Sequence, residues 1–234
     1  MFRRVLLKLS GESFGGGNIG IDTDVVRRLA EEIANAIEHV QICVVVGGGN
    51  FFRGEELSIA GIDRNRGDYM GMLGTVMNCL ALQDFLEQAG VTTRVQSAIA
   101  MDQVSEPYIP LKAIRHMEKK RVVVFGAGAG MPYFSTDTVS IQRALETNCN
   151  EVLMAKNGVD GIYTSDPRVN ENAEKLEHLT FTRAIMDNLE VMDSTALTLA
   201  KTNMMDIRVF GINEPGNVTN ALLGKEIGSL VTVE

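Results

Sequence analysis

Three junctions in this chain run from an apolar stretch straight into glycine: "LLKLSGE" (6–12), "VVVGGGNFFRG" (44–54) and "VFGAGAGM" (124–131). Glycine destabilises a regular element by roughly 0.5–1 kcal/mol relative to Ala, so its repetition at strand ends marks places that need bare backbone. Successive N–H groups in such turns point inward together and form a concavity for an anion. Two cations accompany the glycines. Lys8 stands inside the first strand, where an ammonium is expensive to bury unless it emerges at a ligand or meets a carboxylate. Arg53 follows the triple glycine on the same loop and carries a fork that suits phosphate oxygens. Taken singly, each glycine cluster is a tight turn and Arg53 a surface arginine. Together they fit phosphoryl transfer, in which main-chain donors and cations meet negative charge as it develops.

The two familiar phosphate cradles are missing. The only Gly-Lys, in "LLGKEI" (222–227), lacks the hydroxyl and the upstream glycine of a P-loop. "GAGAGM" (126–131) starts like a dinucleotide fingerprint but has Met131 where the sixth position requires glycine. His39, His116 and His178 lie far apart with no Cys or His at metal-ligand spacing, so they read as surface histidines and no zinc site is expected. Cys43, Cys79 and Cys149 are odd in number and set in apolar surroundings, which suits reduced, buried thiols.

Charge excludes some partners. With 22 Lys+Arg against 30 Asp+Glu the net charge is −8, and the longest basic run is "KKR" at 119–121. That argues against a protein that tracks along nucleic acid, though not against a small anion held by local donors. No stretch reaches the length of a membrane span. In "MFRRVLLKLSGE" (1–12), Lys8 breaks the apolar run and no small-residue cleavage site follows, so the segment reads as a first strand of a cytoplasmic protein.

The elements that must position these groups follow from a repeated pattern of β-branched run, glycine and helical stretch. Strands are predicted within 4–12, 41–50, 121–130, 151–161 and 206–213, and helices over 25–40, 68–89, 111–119, 136–148, 194–203 and 217–223. Near-continuous apolar strands alternating with helices predict an α/β, three-layer αβα sandwich with a mostly parallel central sheet. Ligands of such sheets bind outside the carboxyl ends of the strands, which is where the glycines are. The 68–89 helix is apolar on nearly every side and rich in Met, predicting either core or a subunit interface. Near 155–180 the rhythm gives way to turn-forming residues, predicting loops and a hairpin on one side of a second lobe.

Five segments, in order and across essentially the whole chain, carry a resemblance: "KLSGE" (8–12), "GGGNFFRG" (47–54), "GDYMGMLGTVMN" (67–78), "PYFSTD" (132–137) and "NGVDGIYTSDPR" (157–168). They resemble the bacterial UMP kinases (uridylate kinases) of the amino acid kinase superfamily. The resemblance implies one amino acid kinase-like domain over 1–234, with a UMP-side lobe over about 1–150 and an ATP-side lobe over about 151–234. It implies transfer of the γ-phosphoryl group of ATP to UMP in pyrimidine nucleotide biosynthesis, with magnesium arriving with ATP and no metal site of the protein's own. Lys8, Leu9, Ser10 and Gly11 would hold the transferring phosphate, with Lys8 the main electrostatic catalyst. Gly48 would meet UMP, while Gly49 and Arg53 would meet ATP. Asp68 would bind the UMP ribose, and Ala129, Gly130, Met131, Pro132, Tyr133, Phe134, Ser135 and Thr136 would wrap its uracil and phosphate. Asn157, Tyr163 and Asp166 would form the adenosine side. Asp137 and Asp193 would orient Lys8 or organise magnesium, Asp193 being also a good helix cap. The family is typically a homohexamer built from dimers, and segment 70–82 would suit the dimer surface. A GTP activator and a UTP inhibitor stay open, because "SFGGGNIG" (13–20) has no obvious threonine where GTP-activated members tend to carry one.

Other readings account for less. Acetylglutamate or carbamate kinases would share "KLSG" but have no reason for "GMPYFSTD" (130–137). A nucleotide-storage protein without turnover would have no need of Lys8 and Arg53. A dinucleotide oxidoreductase does not fit the broken fingerprint. Phe51 and Phe52 read as packing and are left outside the site.

Overall fold

The computed structural model describes residues 3–52, 59, 61–189 and 192–233. The first half contains β1 (Arg4–Leu9), α1 (Gly11–Phe14), α2 (Thr23–Ala34), β2 (Gln41–Val46), α3 (Arg64–Gln88), β3 (Thr93–Ser97), β4 (Glu106–Pro107), α4 (Pro110–Glu118) and β5 (Val122–Gly126). There follow α5 (Thr136–Glu146), β6 (Glu151–Lys156), β7 (Ile162–Tyr163), β8 (Lys175–Leu176), β9 (His178–Thr180), α6 (Phe181–Met186), α7 (Ser194–Thr202), β10 (Asp206–Gly211), α8 (Asn217–Leu222) and β11 (Ser229–Thr232).

Among the described residues nine strands form one sheet in the order β4-β3-β5-β2-β1-β6-β10-β11-β9. Every pair in it is parallel except β10–β11. Alternation along β1 sends Val5, Leu7 and Leu9 into a core shared with α2, α3 and α8, and Leu6 into a second core shared with α4 to α7. Helices thus cover both faces, and the mostly parallel three-layer α/β sandwich read from the sequence is the fold. Among the described residues, no helix is long and apolar enough to cross a membrane.

Register fixes where the functional ends lie. Lys8 is level with Val45 of β2 and Met154 of β6, and Val45 is level with Phe125 of β5. The carboxyl ends of β1, β2, β5 and β6 therefore share one edge of the sheet.

Helix caps follow the sequence closely. Asp22 accepts the Asp24 and Val25 N–H groups at the start of α2, and Ser135 accepts that of Thr138 at the start of α5. The α3 helix begins at Arg64 rather than 68, because Asp63 caps a polar first turn that carries no apolar signal. Its inner flank, with Met72, Val76, Cys79, Leu82 and Leu86, is core, while Tyr69, Leu73 and Met77 on the outer flank are exposed. The predicted hairpin is the antiparallel pair β7–β8. His116 departs from the surface reading: it is half-buried on α4, between Glu106 and Arg121. The three cysteines are free and buried.

Candidate active site

At the shared edge of the sheet the chain opens a cleft of about 500 Å³. Lys8, Gly11, Gly47–Gly49 and Gly128 all line it, so the three glycine junctions converge on one place. Their packing explains the glycines. A Cβ on Gly11 would lie 2.8 Å from the Gly47 carbonyl and nearer still to the Gly49 nitrogen. A Cβ on Gly48 would fall on the Gly71 carbonyl of α3. Main chain touches main chain here, and any side chain would force the loops apart.

Lys8 is 8% exposed, and its Nζ lies 2.9 Å from Asp137 Oδ1. Asp137 stands in the first turn of α5, where the helix dipole also favours its charge. The lysine thus emerges at a cavity wall with its charge matched. Asp193 does something else. Its carboxylate accepts the Ala196 N–H, capping α7, and hydrogen-bonds Ser135 and Thr138. Of the two aspartates proposed to orient Lys8, it is Asp137 that meets it, and Asp193 braces α7 against α5.

Ser10 caps α1 and shares a 2.7 Å hydrogen bond with Ser13. Leu9 is fully buried in the core beneath the cleft. Asp68 reaches the cleft from α3 with both oxygens engaged: Arg64 Nε donates to Oδ1 at 2.9 Å and the Tyr133 N–H to Oδ2 at 2.9 Å. Phe134, Ser135 and Thr136 line the cleft, whereas Met131 and Tyr133 project into solvent. Ala129 packs against the core, and Gly130 closes a turn by donating its N–H to Ala127 O at 2.8 Å. Pro132 is half-buried between them and Tyr133. Arg53 lies outside the described residues.

A second cavity of about 370 Å³ has Asn157, Tyr163 and Asp166, the residues expected around adenosine, in its wall. Lys156 and Asn157, at the end of β6, line both cavities. The two hollows therefore share a wall. Tyr163 donates its hydroxyl to Asp160 at 2.5 Å. Hydrogen bonds from the Arg168 guanidinium hold the Asp166 carboxyl below the usual carboxylate range.

Some site residues escaped the sequence reading. Phe52, read as packing, lines the cleft, while Phe51 packs beside Gly74. Lys156 ends an apolar strand as Lys8 interrupts one, and that likeness was a usable signal. Arg143 is 3% exposed, lies 3.8 Å over the Tyr108 ring and donates to the Gly128 carbonyl, stiffening the third glycine loop from beneath. Nothing in "SIQRALE" (140–146) announces it.

A glycine-lined anion cleft with a paired lysine, set at the carboxyl edge of a parallel sheet, defines a phosphoryl-transfer class of protein. The chain matches the amino acid kinase family over residues 3–211 and belongs to it. Within that family it falls among the uridylate kinases. It is 72% identical to the uridylate kinase of Bifidobacterium longum (strain NCC 2705), over 98% of this chain and 94% of that one. It is 64% identical to the uridylate kinase of Arthrobacter sp. (strain FB24), again over 98% and 94%. Its fold superposes on the UMP kinase from Bacillus anthracis with a TM-score of 0.94 at 38% identity, covering 100% and 97% of the two chains. For the UMP kinase from Ureaplasma parvum the TM-score is 0.92 at 38% identity, with 99% of each chain covered.

Proposed function

We infer that this chain is a nucleoside monophosphate kinase that transfers the γ-phosphoryl group of ATP to UMP, giving ADP and UDP. The observation that carries this reading is the Lys8–Asp137 pair at the meeting point of three glycine loops, beside a second cavity that shares Lys156 and Asn157. Two hollows with a common cationic wall suit two nucleotides placed phosphate to phosphate. In our assignment UMP occupies the cleft of the N-terminal lobe, with Asp68 taking the ribose, Gly48 the phosphate side and 129–136 the base and phosphate. ATP enters from the C-terminal lobe, with Asn157, Tyr163 and Asp166 around adenosine and Ser10, Gly11, Gly49 and Arg53 along its phosphates.

The chemistry asks little covalent help. A UMP phosphate oxygen is already anionic near neutral pH, so no general base is needed. What the protein must do is hold two repelling anions in line and stabilise the moving charge. Lys8 supplies a fixed ammonium, kept on target by Asp137. Glycine main chain lets the phosphates approach closely. Among the described residues no group of three or more His, Cys, Asp and Glu is placed to hold a metal ion. Asp68, Asp137 and Asp193 are each engaged by protein partners. Such a site fits magnesium held chiefly by the phosphate oxygens of ATP, whose charge it neutralises.

We assign the reaction to the cytoplasm on the strength of three free, buried thiols. We also assign the exposed apolar flank of α3, with Tyr69, Leu73 and Met77, to the dimer contact of a homohexamer. The test is a substrate panel: purified protein, ATP and magnesium offered UMP, CMP, AMP, acetylglutamate and carbamate. Strong preference for UMP is expected, and strong preference for any other acceptor overturns the reading.

A further inference from the structure

Helix α3 carries a stripe that its apolar character conceals. Gly71, Thr75 and Asn78 follow at steps of four and three and so share one face. Each meets a glycine loop. The Gly71 carbonyl packs on Gly48, and Thr75 Oγ1 accepts the Ala127 N–H at 2.8 Å. Asn78 Nδ2 donates to the Gly47 carbonyl at 2.8 Å and to Asn50 Oδ1 at 2.7 Å. Asn50 Nδ2 returns a bond to Asn78 Oδ1 at 2.9 Å and donates to the Gly20 carbonyl at 2.7 Å. The two amides are 0% and 4% exposed.

Burying a reciprocal pair of amides this deeply is unfavourable unless their donors and acceptors are matched, as these are. An apolar residue at position 78, beside Cys79 and Leu82, would fill the same space without that constraint. What the amides reach explains their presence. Gly47–Gly49 have no side chains with which to fix themselves, and glycine has the greatest backbone freedom of any residue. A loop that must hold two repelling anions in line needs its stiffness from elsewhere.

We propose that Asn78 is a positioning residue for phosphoryl transfer: its amide fixes the Gly47 carbonyl, and through it the triple-glycine loop, while Asn50 extends the restraint to Gly20. The proposal rests on the reading that Gly48 and Gly49 face the nucleotides. Asn78→Asp keeps the size and an acceptor for Asn50 but loses both donations and turns a carboxylate toward the Gly47 carbonyl. Asn78→Ala removes the amide without adding charge and serves if the aspartate variant does not fold. Leu82→Ala, one turn along α3 and fully buried, is the control for a purely structural loss.

Steady-state kinetics with ATP and UMP, together with melting temperatures, give the readout. The Asn78 variants should lose about 10- to 100-fold in kcat, well beyond any change in KM, because a misplacement near 1 Å suffices for about 10²-fold. Leu82→Ala should lower the melting temperature by at least as much and keep kcat. If the Asn78 variants keep kcat, or lose no more of it than Leu82→Ala does, the positioning role is wrong. Failure of the underlying reading looks different: the unmutated chain would not phosphorylate UMP, or Lys8→Ala would leave turnover intact.

Discussion

Removing the Lys8 ammonium tests the catalytic reading most directly, provided two effects are kept apart. Losing one preorganised donor from a developing charge costs about 10²–10³ in kcat, or roughly 2.7–4 kcal/mol. Losing the lysine also strands Asp137. Breaking a fully buried ion pair costs about 3–5 kcal/mol. Here the Asp137 side chain keeps 17% of its exposure and stands in the first turn of α5. Water and the helix dipole, the latter worth about 0.3–1 kcal/mol, soften that loss. We therefore expect Lys8→Ala to destabilise the fold by about 1–3 kcal/mol, a melting shift of roughly 2–12 °C for a chain of this size. Adding Asp137→Asn removes the stranded charge, so the double variant should regain most of the melting temperature and none of the turnover. ADP release at saturating ATP and UMP measures kcat, and thermal unfolding measures stability. A Lys8→Ala protein whose kcat stays within about tenfold of the parent would refute the electrostatic role, as would recovery of turnover in the double variant.

Gly11→Ala places a methyl against the main chain of Gly47 and Gly49, and it should lower kcat by about 10²-fold or more while circular dichroism stays native. Tyr163→Ala should raise the KM for ATP by about tenfold and leave that for UMP unchanged, since it lines only the second cavity of the pair. Glu146 provides a pH test. Burial works against its charge, but hydrogen bonds from Tyr108 and Arg143 outweigh that and hold its carboxyl below the usual range. A depressed folded pKa contributes stability above the unfolded value and loses it as pH falls through the folded one. Glu146→Gln should therefore be less stable than the parent at pH 7, and the gap in melting temperature should narrow below about pH 4.

The central sheet was legible because its strands are buried on both faces and end in glycine; β1, β2, β5, β6 and β10 all announce themselves in this way. The β3 strand does not. "TRVQS" (93–97) has one apolar residue, Val95, and stops without glycine, and its pairing with β5 from Val122 to Gly126 makes it a strand. The short strands β11 and, at the sheet edge, β9 are likewise defined by partners rather than by pattern. The same division runs through the site. Lys8 was conspicuous as a charge in an apolar strand. Asn78 and Arg143 were not, because each is explained by a carbonyl on a loop 31 or 15 residues away. Asp193 has two roles that share one sequence signal, a carboxylate ahead of a helix, and its hydrogen bonds to Ser135 and Thr138 distinguish them.

The close apposition of Gly11 with Gly47 and Gly49 limits how this scaffold can be redesigned. Where peptide planes abut, there is no residue to vary, so the catalytic floor offers an engineer almost nothing to select upon. Variation is open instead at the solvent-facing rim, where Met131, Tyr133 and Phe134 are 53%, 67% and 50% exposed and can change size without disturbing that floor. A library aimed at a new phosphate acceptor should be randomised there.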